Sequence, residues 1–266
     1  MKRKHFAAIV ACVVFALALA GCGNGSQASS SSSEESYADA QFLQDLGKGL
    51  EARWAITDAP ENESLTQSEE KEMLGKAVQA ELGVLEGYTS QKFEDSTLQE
   101  KAIQYVNCLK DQQAALEYMT VDYTKYSEDW GKAYDTRTQL LKGFVDDYGL
   151  TVSEEHAATL KDLVTNGSLV DDKEKKQKAV DKICKKMKFK QADEHGYYEA
   201  VVENTAGFTF KNFDVYVNLL DKDGVIVEST YANVNNWEAG QKAKFEFWYD
   251  GDFDKISVKS NYWEAA

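Results

Sequence analysis

Two arginines stand on or beside otherwise apolar stripes of helical sequence. Arg53 and Arg137 are the only arginines after residue 22, where the chain has 25 lysines. A planar guanidinium suits buried, bidentate pairing with a carboxylate better than the ammonium group of lysine does. Gln112 interrupts an apolar stripe in the same way. The pattern predicts either a polar pairing inside a helical bundle or a pocket in which the arginines bind an anionic ligand.

The other reactive side chains do not have the spacing typical of enzymes. His156 lies in SEEHAATL without a second histidine at the spacing of a helical zinc site, and His195 stands alone. The sequence has no GxSxG elbow, no glycine-rich phosphate loop and no CxxC pair, which are patterns of nucleophilic, phosphoryl-transfer and thiol or metal chemistry. We therefore expect no catalytic activity, no cofactor and no metal site.

Two acidic segments, DKDG at 221–224 and DGDFD at 250–254, offer the alternate carboxylates that can bind calcium. Neither has the spacing through position twelve that an EF-hand loop needs. Both fall between alternating apolar segments, where aspartate and glycine commonly form turns. We interpret both as turns, with calcium loops as the alternative.

Two cysteines remain after residue 22, Cys108 and Cys184. Outside the membrane, two thiols in one chain can form a disulfide, which is one of two interpretations left open here. A bridge across the 75 intervening residues would contribute on the order of 4 kcal/mol in the chain-entropy model. The alternative is two separate buried thiols that behave as small apolar side chains.

The first 22 residues have the features of a secretory signal. Lys2, Arg3 and Lys4 precede an uncharged, largely apolar run at 6–20. As a helix this run would span roughly 22 Å, short of the ~30 Å hydrocarbon core of a membrane. A basic start, a short apolar middle and small residues at the end are typical of a cleaved signal. An uncleaved anchor is the alternative.

The sequence Leu19-Ala20-Gly21-Cys22 resembles the lipobox of bacterial lipoproteins. In that family the cysteine thiol receives diacylglycerol and becomes the first residue of the mature chain. The resemblance implies that Cys22 carries at least two acyl chains, and two chains make a stable anchor where one does not. It also implies a location at the extracellular face of the cell membrane.

Residues 23–36 are rich in serine and contain one apolar residue, Ala28. Such a segment cannot bury enough surface to offset the entropy of ordering, so we expect a disordered tether. Its r.m.s. reach would be about 20 Å.

The charge and composition of the mature chain exclude one class of partner. Cleavage before Cys22 removes three basic residues and no acid, so the net charge moves from −15 to −18. Nucleic-acid binding needs a basic face, so nucleic acid is not an expected partner. The aromatic content of 12% indicates a globular chain rather than a disordered one.

The segment 37–190 has helical periodicity. Its first stripe is Phe42, Leu46, Leu50 and Trp54, at four-residue steps. Further amphipathic stripes predict helices over 67–86, from Ser96 to Met119 with a capping box of Ser96 and Gln99, from Ser127 to Gly149, from Ser153 to about Val164, and over about 170–188. Asn166-Gly167 is predicted to separate the last two. Short loops and a single proline favour an antiparallel helical bundle.

The last of these helices is basic. KEKKQKAVDKICKKMKFK at 173–190 has nine lysines and two acids. Val180, Ile183, Cys184 and Met187 form one apolar stripe, which favours a helix packed on the protein with its lysines in water. Contact with anionic lipid or another polyanion is the alternative.

From residue 191 to 266 the apolar period changes from 3.6 to 2, which predicts short strands with turns between them. The alternating positions are Tyr198, Ala200 and Val202; Phe213, Val215, Val217 and Leu219; Val225 and Val227; Ala243, Phe245, Phe247 and Tyr249; and Ile256, Val258 and Tyr262. This pattern favours a β-sandwich.

Three features of this segment together carry a second resemblance. They are VNLLDKDGVIV at 217–227, Asn204 at the end of the preceding strand, and WEAG at 237–240 before an aromatic strand. Over about 192–263 the segment resembles the FxLYD domain, a small immunoglobulin-like sandwich of many Gram-positive lipoproteins and surface proteins.

The match to the FxLYD motif is partial. Val217 stands in place of its phenylalanine and Leu220 in place of its tyrosine, whereas Leu219 and Asp221 match. The family has no catalytic constellation. The resemblance therefore implies a fold and a cell-surface setting and no activity.

Three aromatic residues of this segment are candidates for a contact surface. Tyr197, Trp248 and Trp263 are expected to pack in an interface against the helical half. The alternative is an exposed platform for a sugar ring or a protein partner.

These observations predict an α+β multidomain protein: a signal and lipobox at 1–22, a tether at 23–36, an antiparallel helical bundle at 37–190 and an immunoglobulin-like β-sandwich at 191–266. The expected function is that of a membrane-anchored extracellular lipoprotein, a non-catalytic interaction module for a protein or a cell-wall component. The alternative is a small-ligand-binding or sensing lipoprotein with a pocket in the helical domain.

Overall fold

The computed structural model describes residues 37–266, so the predictions for the signal, the lipidated Cys22 and the tether lie outside the described residues. Tyr37–Ala266 form one compact unit. Within it five α-helices precede two antiparallel three-stranded sheets, which confirms the predicted α+β class. The helices are α1 (Asp39–Thr57), α2 (Gln67–Leu85), α3 (Ser96–Ala115), α4 (Tyr123–Tyr148) and α5 (Ala157–Lys186).

The first predicted stripe forms the buried face of α1. Phe42, Leu46 and Leu50 are fully buried and Trp54 nearly so. Their four-residue spacing places them on one side of the helix, where they join the core of the bundle. The predicted helices at 42–54 and 67–86 are thus confirmed.

The polar residues at the helix ends differ from those predicted. Asp95, not Ser96, caps α3 by accepting hydrogen bonds from the backbone N–H groups of Thr97 and Leu98. Asp122 caps α4 in the same way, so this helix begins four residues before Ser127. Aspartate satisfies the orphan N–H groups of a first turn as serine does, and at the start of α3 the two candidate caps, Asp95 and Ser96, are adjacent in the sequence.

Two predicted C-terminal boundaries were tested by the structure. Gly149 ends α4 with φ of 69°, the left-handed conformation that favours glycine, as predicted. The helix begun at Ser96 ends at Ala115 rather than at Met119, because a short 3₁₀ turn follows over Leu116–Tyr118.

The predicted break at Asn166-Gly167 is wrong, because α5 is one helix of 30 residues. A Cβ added to Gly167 would lie 2.7 Å from the carbonyl carbon of Thr138 and closer still to its oxygen. Asn166 Nδ2 donates to the hydroxyl of Tyr134 at 2.8 Å. Both residues therefore serve the close approach of α5 to α4, and this packing outweighs their low helix propensity.

The second half of α5 is the predicted lysine-rich helix, and its apolar stripe packs on the sheets. Val180, Ile183, Cys184 and Met187 belong to the same buried cluster as the inner residues of the strands. This one helix thus contacts α4 with its first half and the strands with its second half. The domain boundary near residue 190 stays a prediction.

The strands form two sheets with the orders β1-β2-β5 and β4-β3-β6. They are β1 (Lys190–Gln191), β2 (Tyr197–Glu203), β3 (Phe210–Leu220), β4 (Ile226–Trp237), β5 (Lys242–Trp248) and β6 (Lys255–Ala265). Alternation buries Phe213, Val215 and Val217 on the inner face of β3. The inner faces of both sheets meet in one apolar cluster, where the Phe213 and Phe245 rings lie 6.0 Å apart.

The turns between strands use the residues that the sequence singled out. The Asp221 carboxylate accepts hydrogen bonds from the N–H groups of Asp223 and Val225, both at 2.9 Å, and Gly224 has φ of 82°. The side-chain amide of buried Asn204 donates to the carbonyl oxygens of Phe208 and Trp237. The first acidic segment is therefore a turn, as interpreted above.

None of the helices within residues 37–266 combines the length and the apolar composition needed to cross a membrane.

Candidate functional site

The strongest polar cluster of the described chain lies inside the bundle, and we call it the charged core. It consists of Arg53 from α1, Glu81 from α2, Tyr105 and Gln112 from α3, and Arg137 from α4. Each of these five residues is nine-tenths or more buried. The cluster thus connects four of the five helices.

Glu81 is the centre of the charged core. Arg137 Nη2 lies 3.0 Å from each of its carboxylate oxygens, and Arg53 Nη1 lies 3.0 Å from Oε2. The Tyr105 hydroxyl donates to Oε1. Arg53 Nη1 also donates to Gln112 Oε1 at 2.9 Å. Glu81 therefore takes the place that an anionic ligand would have between the two arginines.

The electrostatics of the charged core keep Glu81 ionised. Burial by itself raises the pKa of Glu81, but attraction to Arg137 and Arg53 and the hydrogen bonds outweigh it, so the pKa lies below its ordinary value. Burial also raises the pKa of Tyr105, which stays a neutral donor. Two guanidinium groups share this one carboxylate in a water-poor interior. Without its negative charge, both guanidinium groups would be buried without a counter-ion.

Sequence reasoning found Arg53, Arg137 and Gln112 but missed their partners Glu81 and Tyr105. A signal was present for Glu81, because this acid occupies a position of the apolar stripe of 67–86 beside Leu82. Acids are almost never fully buried unless they are paired. Glu81 on the stripe of 67–86, together with Arg53 and Arg137 on or beside two other apolar stripes, would have indicated a buried ion pair.

The bundle has an open groove, but the charged core does not line it. This groove of about 450 Å³ lies between α3 and α4. Its rim carries Asp111, Lys132 and the ion pair of Lys125 with Asp129, whose charged atoms lie 2.6 Å apart. Neither Arg53 nor Arg137 is among its lining residues. The structure therefore does not bring the two arginines to a ligand-accessible surface of this groove.

Of the two alternatives for Cys108 and Cys184, the structure agrees with separate buried thiols, because both cysteines are free and buried. Cys108 belongs to the core of the bundle and Cys184 to the core of the sheets. Burial raises the pKa of each thiol to about 11. A buried, protonated thiol is a poor nucleophile, so both behave as small apolar residues.

The structure brings together two of the three candidate platform aromatics. Tyr197 and Trp248 lie opposite each other in the β2–β5 register, on the outer face of that sheet, and each is 52% exposed. The Trp248 indole N–H donates to the carbonyl oxygen of His195 at 2.8 Å, which fixes the orientation of the ring. We call Tyr197 and Trp248 the aromatic pair.

Trp263 is not part of this exposed platform but contacts the helical half, in agreement with the interface interpretation. An irregularity in the β3–β6 ladder near Asp214 shifts the register, so that Trp263 pairs with inward-facing Phe213 and Tyr262 pairs with Asp214. Trp263 is half-buried and its indole N–H donates to Gln177 of α5 at 2.9 Å. One bulge thus exchanges the faces of these two aromatics.

A second exposed aromatic surface was not predicted. Tyr216, Tyr231 and Tyr262 lie on the outer face of the β4-β3-β6 sheet. The rings of Tyr216 and Tyr231 have centroids 5.1 Å apart. The alternation that buries Val215 and Val217 of β3 necessarily turns Tyr216 outward, so the signal was present in the sequence.

The lysines of α5 lie mainly in water. Lys176 and Lys178 pair with Asp172 and Glu174 one helical turn earlier, at 2.7 and 3.4 Å. Such exposed pairs contribute little to stability. Lys182 is exposed beside the buried stripe. This arrangement fits a structural helix with a solvated basic side.

Comparison of the chain with protein-family models, curated proteins and solved structures returned no match. Within residues 37–266, no group of three or more His, Cys, Asp and Glu side chains has the geometry to hold a metal ion.

Proposed function

We propose that the protein is a lipid-anchored extracellular lipoprotein whose folded part is a non-catalytic interaction module for a protein or a cell-wall component. The observation that carries the proposal is the aromatic pair, Tyr197 and Trp248, held side by side on an outer sheet face with half of each side chain exposed. Large aromatic side chains with a polar tip are the usual anchors of binding surfaces.

The position of the aromatic pair supports a role in binding rather than in folding. The inner faces of both sheets already meet in a buried cluster, so these two outward side chains are not needed to fill it. Each leaves apolar surface in water, and a partner that covered this surface would gain binding free energy. The Trp248–His195 hydrogen bond holds the ring in place, so little side-chain entropy is lost on binding.

The cell-surface setting rests on the sequence. Leu19-Ala20-Gly21-Cys22 follows a short apolar run and precedes a serine-rich segment. Diacylglycerol on Cys22 would hold the chain at the outer face of the membrane, and a tether of about 20 Å reach would separate the folded part from the headgroups.

We also propose that the two sheets form an immunoglobulin-like sandwich of the FxLYD type. The shared inner cluster of two antiparallel sheets supports this proposal. The motif residues supply its turns, since the Asp221 carboxylate accepts backbone hydrogen bonds in one hairpin and the Asn204 side-chain amide donates to the carbonyl oxygen of Trp237, the first residue of WEAG. Modules of this architecture present binding residues on outer faces and loops.

Replacing the aromatic pair with alanine (Tyr197→Ala with Trp248→Ala) should weaken binding of the full chain to its partner by roughly 30-fold or more, because a binding hot spot contributes ~2 kcal/mol. Binding is measured by co-sedimentation with purified cell wall and, in a second arm, by affinity for envelope proteins cross-linked in intact cells. Thermal unfolding should change little, since both side chains are half exposed.

The matched control is Tyr123→Ala, which removes a 61% exposed tyrosine from the start of α4. This variant should bind as the unsubstituted chain does. Equal binding by the pair variant and the unsubstituted chain in both arms would rule out the aromatic pair as the contact surface.

A further inference from the structure

The exposed side of the second half of α5 is basic. Residues at steps of three and four lie on one side of a helix, and this side carries five exposed lysines at such steps: Lys175, Lys178, Lys182, Lys185 and the adjacent Lys186. At 1.5 Å of rise per residue they form one row of about 17 Å. We call this row the lysine ridge.

The packing of α5 keeps the lysine ridge at the surface. Val180, Ile183 and Cys184, on the opposite side of the helix, are buried in the core of the sheets. Because this apolar stripe is buried, the helix cannot rotate about its axis, and the lysines stay in water. The backbone of the ridge is therefore fixed before a partner binds, and only the lysine side chains lose freedom on binding.

Most of the lysine ridge has no counter-charge within residues 37–266. Lys178 pairs with Glu174, and their charged atoms lie 3.4 Å apart. The other four lysines form no ion pair with a residue of this range, although Lys186 Nζ lies 3.5 Å from the hydroxyl oxygen of Thr205. The ammonium groups of these four lysines are thus available to an anionic partner.

The positive charge of the lysine ridge is local. Residues 173–190 contain nine lysines and two acids, whereas the whole chain has a net charge of −15. At physiological salt, exposed charges separated by more than ~8 Å are largely screened from each other. A partner that contacts the ridge therefore interacts mainly with its lysines and much less with the distant acids of the chain.

We propose that the lysine ridge binds a linear, flexible polymer that carries repeated phosphate groups and no bases. Charge complementarity carries the proposal, since a straight row of ammonium groups contacts several phosphates of one polymer chain at once and releases their counterions. The lysine ridge shares no residue with the aromatic pair, and the inference does not rest on the lipid anchor.

Two features favour a polymer over an anionic membrane. Helices that lie on a membrane bury an apolar side in it, but the apolar stripe of this half of α5 is already buried against the sheets. Acids also flank the lysine ridge, with Glu174 and Asp181 on one side and Asp172 on the other. A flat anionic surface would face these carboxylates too, whereas a single polymer chain follows the row of lysines.

The composition of α5 favours a polymer without bases. Proteins that bind single-stranded nucleic acid stack its bases on aromatic side chains. The helix Ala157–Lys186 contains no aromatic residue. Phosphate groups are therefore the feature of a polymer that the lysine ridge recognises.

Replacing three lysines of the ridge tests the proposal. The full chain in a neutral detergent is titrated into fluorescently labelled inorganic polyphosphate, and fluorescence anisotropy measures binding at several salt concentrations. Lys175→Gln with Lys182→Gln and Lys185→Gln should weaken binding by roughly 10-fold or more at low salt. The slope of log K against log salt concentration should become less steep by about 2, since each phosphate contact of a single strand contributes ~0.7.

The matched control removes the same charge from three exposed lysines outside α5: Lys110→Gln with Lys222→Gln and Lys242→Gln. This variant should bind polyphosphate nearly as the unsubstituted chain does. Lys→Arg at the three ridge positions keeps the positive charges and should also retain binding. Equal affinity of the ridge glutamine variant and the matched control, or no binding of polyphosphate by the unsubstituted chain, would overturn the proposal.

Competition distinguishes the possible occupants. Unlabelled polyphosphate should displace the labelled polymer at a lower phosphate concentration than detergent micelles containing phosphatidylglycerol, or a single-stranded oligonucleotide, do. Equal or stronger displacement by the lipid would assign the lysine ridge to a membrane. Equal or stronger displacement by the oligonucleotide would assign it to nucleic acid, and either result would contradict the proposed polymer.

Discussion

The Glu81→Gln variant is expected to lose about 3–5 kcal/mol of unfolding free energy, the usual cost of removing one partner from a buried ion pair. Glutamine keeps the shape of the side chain but removes the carboxylate that contacts both Arg53 and Arg137. Two buried guanidinium groups would then repel each other without a counter-charge. Urea unfolding followed by circular dichroism measures the loss.

The matched control is Glu72→Gln on the same helix. Glu72 lies 2.7 Å from Lys76 in an exposed pair one turn apart, and such pairs contribute about 0.3–0.5 kcal/mol. Equal stability of Glu81→Gln and the unsubstituted chain would show that the charged core does not hold the bundle together.

The pH dependence of the unfolding free energy provides a second test of Glu81. Because the pKa of Glu81 is lowered on folding from 4.5, ionised Glu81 stabilises the folded state above about pH 4.5. This stabilisation is lost as the pH falls through the lowered pKa. Glutamine does not titrate, so the Glu81→Gln variant lacks this contribution. Its unfolding free energy should therefore depend less steeply on pH in the acid range.

Gly167→Ala is the second substitution with a large expected effect. The added Cβ would meet the Thr138 carbonyl group and lie 3.0 Å from the backbone nitrogen of Gln139, so α5 and α4 must move apart. Overpacking of this kind costs about 1–3 kcal/mol, or more where backbone must yield. It exceeds the ~1 kcal/mol by which alanine improves helix propensity. The melting temperature should fall.

Gly131→Ala is the matched control within α4. Nothing lies within 4 Å of a Cβ added at Gly131, so alanine should be neutral or stabilise the helix by up to ~1 kcal/mol. If Gly167→Ala were as stable as Gly131→Ala, position 167 would tolerate a Cβ. This result would contradict the close packing of α5 against α4 at Gly167.

The sequence predicted what depends on local periodicity. The stripe from Phe42 to Trp54 and the inward positions of β3 follow from helix and strand geometry alone, and the structure confirms them. Gly149 was recognised as a helix end because a glycine directly after a helical stripe commonly adopts the left-handed conformation that ends a helix.

Features that depend on contacts between distant segments were missed or wrong. Gly167 reads as a helix breaker until α4 lies against it. The Cys108–Cys184 bridge was plausible by count, but the two thiols belong to different cores. Trp263 changed face because of a one-residue bulge, and no period-2 pattern reveals where a bulge occurs.

For the candidate binding residues, too, local periodicity predicted some features, and contacts between distant segments decided the others. Alternation predicted that Trp248 faces outward, opposite to its buried neighbour Phe247. It did not show that Tyr197 of another strand lies directly opposite Trp248, since strand register depends on pairing. The charged core was recognised from its arginines, yet the identity of Glu81 as their counter-ion required the positions of four helices.

Intact-mass spectrometry of the chain extracted from the membrane of its producing cell tests the proposed anchoring most directly. The expected species begins at Cys22 and carries the mass of a diacylglycerol on that cysteine, and it is found in the membrane fraction. An unmodified Cys22 thiol, or a chain released freely into the medium, would contradict a lipid-anchored interaction module.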